Sequence, residues 1–282
     1  MADQHHLELS DARLFYRTNG SGQPLIFIHG NFNDHHIWEE QADFFGRYAQ
    51  DVQVIRYDLR GYGGSSTPAS SFSHVHDLKC LIEHLHLNAA VLIGSSMGGG
   101  IALDFALAYP EYVRALVLAA PSVTNQRYPW KMLWKGISNF YQLRFRGSQS
   151  AIEAFIQDDY WSYFFPSPHR RAAREKVLRN VRNPDNFCRF PPRLALPPRI
   201  SSMQRLNEIQ VPTLIVAADG DHPFNLKTAG DLSKLIPQAS GAMFHDCGHL
   251  PFIEQPDKFN QTLLAFIQPM LSGKRQKSLQ SR

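Results

Sequence analysis

The chain has 282 residues, of which 43% are hydrophobic and 19% are charged, with a formal net charge of +4. This is the composition of an ordinary globular protein, and the length suits one large α/β domain with an insertion. The polar N-terminus predicts no secretory signal, and no stretch reaches the roughly 18 apolar residues that a membrane span needs. The three cysteines are widely separated and lack metal-site spacing, so we expect a soluble protein in the reducing cytoplasm.

Short apolar runs alternate with helical patterns over the first 120 residues. The predicted strands cover residues 25–29, 52–57, 90–94 and 115–120. The predicted helices between them cover residues 37–50, 75–85 and 97–109. This alternation is typical of βαβ units, so the fold class is predicted to be α/β with a mostly parallel central sheet flanked by helices.

The pattern changes in residues 122–205, where aromatic and arginine-rich helical stretches are broken by prolines. Residues 127–205 carry 15 Lys and Arg against 5 Asp and Glu, so a basic, mostly helical insertion is predicted within an acidic core. Strand signals return after the insertion, and residues 1–121 and 206–272 are predicted to form the core together. Residues 273–282 are predicted to be a basic, disordered tail.

The segment Gly94-Ser95-Ser96-Met97-Gly98 fits the pattern G-x-S-x-G, directly after a predicted strand and directly before a predicted helix. In that context the pattern indicates a sharp turn that exposes a nucleophilic serine. The two glycines frame Ser96, so Ser96 is preferred to Ser95 as the nucleophile.

A serine nucleophile needs a base that is oriented by an acid. His249, in the polar loop after the last predicted strand, is the preferred base, with His245 as its rival. The acid is expected between Ser96 and His249 at a strand end, where Asp221 is favoured over Asp219. Cys247 is interpreted as a packing residue rather than a thiol nucleophile.

An oxyanion needs two hydrogen-bond donors, and the amides of Asn31 and Met97 are the candidates. The remaining histidines, including the His35-His36 pair, are expected to be solvated rather than metal ligands. This chemistry needs no metal and no organic cofactor.

These motifs follow one another as they do in the α/β-hydrolase family, which the chain resembles over nearly its whole length. The matching segments are His29-Gly30, residues 57–63 with Ser65, the turn at Ser96, Asp221, and Gly248-His249. The resemblance implies an α/β-hydrolase fold in which residues 122–205 form a helical cap over Ser96. It also implies structural roles for Asp58, Arg60 and Glu254. Haloalkane dehalogenases and epoxide hydrolases carry an aspartate where this chain has Ser96.

The predicted activity is hydrolysis of a carboxylic ester or a similar small acyl substrate, through Ser96, His249 and Asp221 and an acyl-enzyme. A carbon–carbon bond hydrolase or an enol-lactonase with the same residues is the first alternative. A small-molecule receptor on a hydrolase scaffold is the alternative from another class. Nucleic-acid binding is not expected, because no recognisable binding module is present.

The insertion holds the residues that would select the substrate. Its arginines either attract an anionic substrate or lie on solvated helix faces. Its aromatic residues either line an acyl pocket or form a separate small core of the cap. They are Trp130, Trp134, Phe140, Tyr141, Phe155, Tyr160, Trp161, Tyr163, Phe164 and Phe165.

Overall fold

The computed structural model describes residues 3–48, 50–187 and 189–280, and within these ranges the side chains of residues 4–271. Eight strands in the described part of the chain form a single sheet. They are β1 (Asp3–Glu8), β2 (Arg13–Gly20), β3 (Gln23–Ile28), β4 (Val52–Tyr57), β5 (Ala90–Ser95), β6 (Val113–Ala119), β7 (Thr213–Ala218) and β8 (Ala239–Phe244). The strand order is β1-β2-β4-β3-β5-β6-β7-β8, and the pairs from β4 to β8 are parallel.

Helices connect the parallel strands and flank the sheet. They are α1 (Glu39–Gly46), α2 (His74–His84), α3 (Met97–Ala108), α4 (Trp130–Gln157), α5 (Arg171–Val181), α6 (Pro223–Leu235), α7 (Pro251–Glu254) and α8 (Pro256–Gln280). Strands β3 and β5 are buried along their whole length, as expected for a sheet covered on both faces. The predicted α/β class with a mostly parallel sheet is therefore confirmed.

Three elements differ from the sequence-based prediction. The prediction began with the strand at residue 25 and missed β1 and β2, which are antiparallel and extend one edge of the sheet. β1 is a polar edge strand, so its sequence lacks the apolar run of a buried strand. The helix predicted over residues 37–50 is also wrong in its bounds: a 3₁₀ turn covers His35–Trp38, and α1 ends at Gly46.

The parallel registers bring several loops to one edge of the sheet. Ile28 pairs with Gly94 and Ser95 pairs with Ala119, so β3, β5 and β6 end at the same level. Ala218 pairs with Phe244 at the ends of β7 and β8. Loops after the carboxyl ends of parallel strands meet at one edge, which is where ligands bind in open α/β sheets.

The described residues between β6 and β7 form helices, 3₁₀ turns and one isolated bridge between Phe72 and Ala195. Buried Phe155, Phe164 and Phe165 pack in the same apolar cluster as Trp38 of the 3₁₀ turn and Phe252 of α7. The alternative in which the insertion has its own separate core is therefore wrong. The insertion completes the main core instead.

The predicted tail at residues 273–282 lies outside the residues whose side chains are described, and its disorder stays a prediction. The helices of the described part fall short of the combined length and apolarity that crossing a bilayer requires.

Candidate active site

Ser96 stands alone between a strand and a helix at the carboxyl edge of the sheet. β5 ends at Ser95, α3 begins at Met97, and Ser96 itself has φ 52° and ψ −117°. A non-glycine residue at positive φ is strained, and such strain persists only where the surroundings impose it. Ser96 is half-buried, whereas Ser95 is only 1% exposed. The turn therefore presents Ser96, and not Ser95, to a reactant.

Backbone crowding explains the glycines on both sides of Ser96. A Cβ atom on Gly94 would lie 2.4 Å from the carbonyl oxygen of Gly98, and one on Gly98 would lie 2.3 Å from that of Ile28. Any side chain at these two positions would force the strand and the helix apart. The N–H of Ser96 also donates to the carbonyl oxygen of Ala119 over 3.0 Å. The path of the backbone thus requires the G-x-S-x-G spacing.

The loop after β3 lies directly against Ser96. A Cβ atom on Gly30 would be 3.0 Å from Cβ of Ser96 and 3.7 Å from its Oγ. The next residue, Asn31, accepts a hydrogen bond of 2.6 Å at its Oδ1 from the hydroxyl of Tyr62. Met97 is the first residue of α3, where N–H groups have no acceptor within the helix. The two predicted oxyanion donors therefore belong to the residues that directly follow Gly30 and Ser96.

His29 holds this loop to the end of β4. It is fully buried; its Nε2 lies 3.0 Å from the N–H of Leu59, and its Nδ1 lies 2.8 Å from the carbonyl oxygen of Gly30. The Leu59 amide can only donate, so Nε2 accepts and Nδ1 carries the proton. Burial lowers the pKa of His29, which favours this neutral form. A neutral imidazole therefore fixes the loop that contacts Ser96.

His249 and Asp221 form a buried pair at the same edge of the sheet. Nδ1 of His249 lies 2.9 Å from Oδ2 of Asp221, and the two residues are 4% and 7% exposed. Asp221 follows β7, and His249 follows β8. The pairing of these two strands explains why residues so far apart in sequence meet. The structure brings the predicted acid and base together.

The hydrogen bonds of the described residues do not include one between Ser96 Oγ and His249. Ser96 follows β5, whereas His249 belongs to the loop after β8. The two residues share the carboxyl edge of the sheet, and the order of the three sites along the chain is that of the predicted triad.

Sequence reasoning missed two groups that hold Asp221. Its Oδ1 accepts hydrogen bonds from the N–H of His222 over 2.7 Å and from Nδ2 of Asn225 over 2.8 Å. Both donors lie at the start of α6. The position of Asn225, four residues after Asp221 and so one helical turn away, is the signal that identifies it. Asp221 therefore has one oxygen held by α6 and the other facing His249.

The loop that carries His249 is fastened by a buried glutamate and by the insertion. Oε1 of Glu254 accepts the N–H of Gly248 over 2.8 Å, and the carbonyl oxygen of Tyr163 accepts the N–H of His249 over 3.1 Å. Burial raises the pKa of Glu254. The ring of Phe164 lies 5.7 Å from the imidazole of His249. The insertion therefore contacts His249 directly.

The alternative candidates for the base, the acid and the nucleophile either pair with each other away from the site or are buried. His245 lies 3.0 Å from Asp219, and both side chains are exposed, at 75% and 45%. This exposed pair is separate from the buried pair of His249 and Asp221. Cys247 is buried, and burial raises the pKa of its thiol, which disfavours the reactive thiolate.

The expectation that His35 and His36 are both solvated is wrong for His35. His35 is 5% exposed, and its Nδ1 lies 2.8 Å from Oδ1 of Asp58. His36 bonds to Asp34, which raises the pKa of His36. Metal-site spacing in the sequence does not reveal either acidic partner, Asp58 for His35 or Asp34 for His36. Asp34, His35 and His36 place their ligand atoms within 4.8 Å of one another, but each is already engaged in these hydrogen bonds.

A cleft of about 540 Å³ opens between the insertion and the start of α6. Asp221, Tyr160 and Tyr163 are among its lining residues, and Ser96 is not. Lys131 and Lys135 lie on the same wall as the carboxylates of Asp158 and Asp159, and Lys135 pairs with Asp158 over 2.6 Å. The lining thus contains two lysines and three aspartates.

All but one of the predicted aromatic residues of the insertion fall into three groups, and the exception, Trp161, is partly buried against the main core. Phe155, Phe164 and Phe165 are buried in the main core, and Tyr160 and Tyr163 line the cleft. The remainder except Trp161 are exposed to solvent, so for them both predicted alternatives, pocket and core, are wrong. These exposed residues are Trp130, Trp134, Phe140 and Tyr141.

Comparison with known proteins agrees with the fold. Residues 23–256 match the profile of the alpha/beta hydrolase fold family. The chain is 28% identical to a pimeloyl-(acyl-carrier protein) methyl ester esterase of Vibrio atlanticus, covering 90% of this chain and 98% of that protein. It is 27% identical to 2-hydroxy-6-oxo-6-phenylhexa-2,4-dienoate hydrolase of Comamonas testosteroni, with 92% and 93% covered. The solved structure of Est816, an N-acyl homoserine lactone degrading enzyme, superimposes with a TM-score of 0.69 at 26% identity, covering 93% of this chain and all of that one.

Proposed function

The chain belongs to the alpha/beta hydrolase fold family, and we propose that it hydrolyses carboxylic esters through Ser96, His249 and Asp221. The observation that carries the proposal is the buried hydrogen bond between His249 and Asp221, at the sheet edge where Ser96 is held in a strained turn. A carboxylate bonded to Nδ1 fixes the imidazole tautomer and leaves Nε2 free to accept a proton.

In the proposed reaction, Oγ of Ser96 attacks the ester carbonyl carbon while Nε2 of His249 takes the hydroxyl proton. The carbonyl oxygen becomes an oxyanion, which the amides of Asn31 and Met97 stabilise. The C–O bond to the alcohol then breaks, and His249 gives its proton to the departing alkoxide. Water, activated by His249, releases the acid from the acyl-enzyme and restores Ser96. No step calls on a metal or an organic cofactor.

Residues 122–205 are proposed to act as a cap that shapes the acyl site. The support is the contact of Tyr163 and Phe164 with His249, together with the packing of Phe32 against the insertion. The ring of Phe32, two residues beyond Gly30, lies 4.5 Å from that of Phe155. The insertion thus contacts both the loop of the proposed base and the loop of the proposed oxyanion site.

Hydrolysis of a carbon–carbon bond is the second candidate, and the likeness to the Comamonas testosteroni hydrolase favours it. The likeness to Est816 favours the lactonase alternative, in which the same residues would open a cyclic ester. The same three residues would serve both candidates, and substrate profiling separates them.

Turnover of activated esters from acetyl to dodecanoyl tests the proposal, with wild type, Ser96→Ala and the matched control Ser95→Ala compared in parallel. We expect Ser96→Ala to lose about 10⁴-fold or more in turnover and Ser95→Ala to retain most of it. Mass spectrometry should find the acyl group on the peptide that contains Ser96. Full activity in Ser96→Ala would refute the mechanism. A folded wild type inert to every ester would favour the carbon–carbon hydrolase or a receptor.

A further inference from the structure

The first part of α4 packs unlike any other helix of the described chain. Gly147 has the non-helical angles φ 81° and ψ 167°, which divide α4 into residues 130–146 and a shorter second part. The second part buries Ala151, Ile152 and Phe155, whereas no residue from 130 to 146 is buried. Residues 130–146 therefore form a helix of about 25 Å that lies on the surface.

The exposed face of residues 130–146 is apolar. Its large side chains recur at spacings of three and four residues, so they form one stripe along the helix. They are Trp130 (70% exposed), Leu133 (44%), Trp134 (54%), Ile137 (45%), Phe140 (41%), Tyr141 (57%) and Phe145 (74%). The half-buried residues Met132, Asn139 and Leu143 lie on the opposite side, which faces the body of the protein. The stripe thus points directly away from the fold.

Rings within the stripe contact one another. Trp130 contacts Trp134 at 5.7 Å between ring centroids, and Tyr141 stacks on Phe145 at 5.8 Å. Leu196 and Ile200 are also exposed, in a segment that hydrogen bonds from Asn125 to Pro198 and from Ser201 to Thr124 join to the residues before α4. Large exposed apolar patches of this kind mark interaction sites.

The charged side chains within this segment of the chain are all cationic, and one of them, Lys135, pairs with Asp158 from beyond the segment. Arg127, Lys131, Lys135, Arg144 and Arg146 accompany it, and no Asp or Glu occurs between residues 112 and 152. The guanidinium carbon of Arg144 lies 5.9 Å from the ring centroid of Phe145, so this cation lies beside the apolar stripe. Trp, Phe and Leu on one face with Lys and Arg beside them are typical of helices that lie in the plane of a membrane interface.

We propose that residues 130–146 dock this protein on the surface of an anionic lipid bilayer. The aromatic stripe would enter the boundary between headgroups and acyl chains, while the cations other than Lys135, which pairs with Asp158, contact anionic headgroups. A symmetric dimer through the same helix would bring the same cations of two copies together, since a two-fold interface uses one patch twice. The charge pattern therefore favours a lipid surface over a second copy.

The test measures partition of the full-length protein into vesicles, in a Ser96→Ala background so that the lipids stay intact. Vesicles of phosphatidylcholine are compared with vesicles that also contain phosphatidylglycerol. Sedimentation gives the bound fraction, and quenching of tryptophan fluorescence by lipids brominated on their acyl chains reports insertion. Trp130 and Trp134 are the expected reporters, because Trp38 is buried.

Binding is expected only to the anionic vesicles, with tryptophan quenching. Trp134→Ser with Phe145→Ser should weaken partition by about 100-fold, and Arg144→Gln with Arg146→Gln by about fivefold for each cation removed. The matched control is Leu235→Ser with Met243→Ser, which changes two exposed apolar residues elsewhere and should bind as before.

Absence of wild-type binding to anionic vesicles would overturn the proposal, as would equal binding to neutral ones. An equal loss in the control would overturn it too. Sedimentation velocity without lipid gives the remaining outcome: a dimer that the Trp134→Ser and Phe145→Ser variant converts to monomer would identify a second copy as the occupant. These measurements need no turnover, so they stand apart from the test of the ester hydrolase.

Discussion

Asn225 donates from its Nδ2 to Oδ1 of Asp221 over 2.8 Å. Because Asp221 uses its other oxygen to hold His249, this hydrogen bond orients the carboxylate that orients the imidazole. Nδ2 of Asn225 also lies 3.3 Å from Nδ1 of His249, so Asn225 is a positioning residue that contacts both members of the pair.

We expect Asn225→Ala to lower kcat by about 10- to 100-fold with little change in KM, because a small misorientation of the base slows proton transfer. Steady-state kinetics on the preferred ester measure this split. Asn207→Ala, at an exposed position, serves as the control and should match wild type. Unchanged kcat in Asn225→Ala would show that the N–H of His222 alone holds Asp221.

Gly30→Ala is expected to reduce kcat/KM by about 10- to 100-fold, because its Cβ atom would push the proposed oxyanion loop away from Ser96. Gly230→Ala is the matched control: Gly230 lies within α6 with no atom near its added Cβ. That control should keep its activity and gain about 0.5–1 kcal/mol in free energy of unfolding, since alanine suits a helix better than glycine. Kinetics and urea unfolding are measured on both variants, and wild-type kinetics in Gly30→Ala would contradict the assigned loop.

His29 predicts a dependence of stability on pH. Its pKa lies below the ordinary value of about 6.5, so the unfolded chain binds more protons than the folded protein between the two values. The contribution of His29 to stability is therefore fully present above pH 6.5 and is lost as the pH falls towards the lowered pKa.

The measurement is the unfolding midpoint of wild type and His29→Gln from about pH 8 to about pH 5. The stability advantage of wild type should be largest at the alkaline end and shrink on acidification. His76→Gln, at an exposed position, should show no such trend. A constant difference between wild type and His29→Gln would mean that His29 does not titrate in this range.

Cys247 is expected to be dispensable for catalysis. Cys247→Ala should keep near-wild-type turnover at a cost of about 1 kcal/mol in stability, because the residue is buried by packing. In the native protein iodoacetamide should label Cys80, which is half-exposed, and spare Cys247 until the protein unfolds. Peptide mapping distinguishes the two sites. A loss of turnover as large as that expected for Ser96→Ala would instead identify Cys247 as a nucleophile.

The sequence by itself determined the parallel core and the residues at its strand ends. Apolar runs such as that before Ser96 can only be buried strands, and glycine on both sides of Ser96 has a local cause, the crowding of a tight turn. Since loops after parallel strands meet at one edge, the strand-end positions of Ser96, Asp221 and His249 predicted that the three residues lie at the same edge of the sheet.

Only the tertiary structure decided the partners of those residues and the role of the insertion. His29 acts through a contact with Leu59 that no local pattern encodes, and polar β1 is a strand only because β2 lies beside it. The aromatic residues of the insertion are similar in type but differ in burial: Phe155 packs in the core, whereas Trp134 faces solvent. A hydrophobic side chain is more stable when it is buried. Whether another part of this chain packs over it depends on the three-dimensional fold.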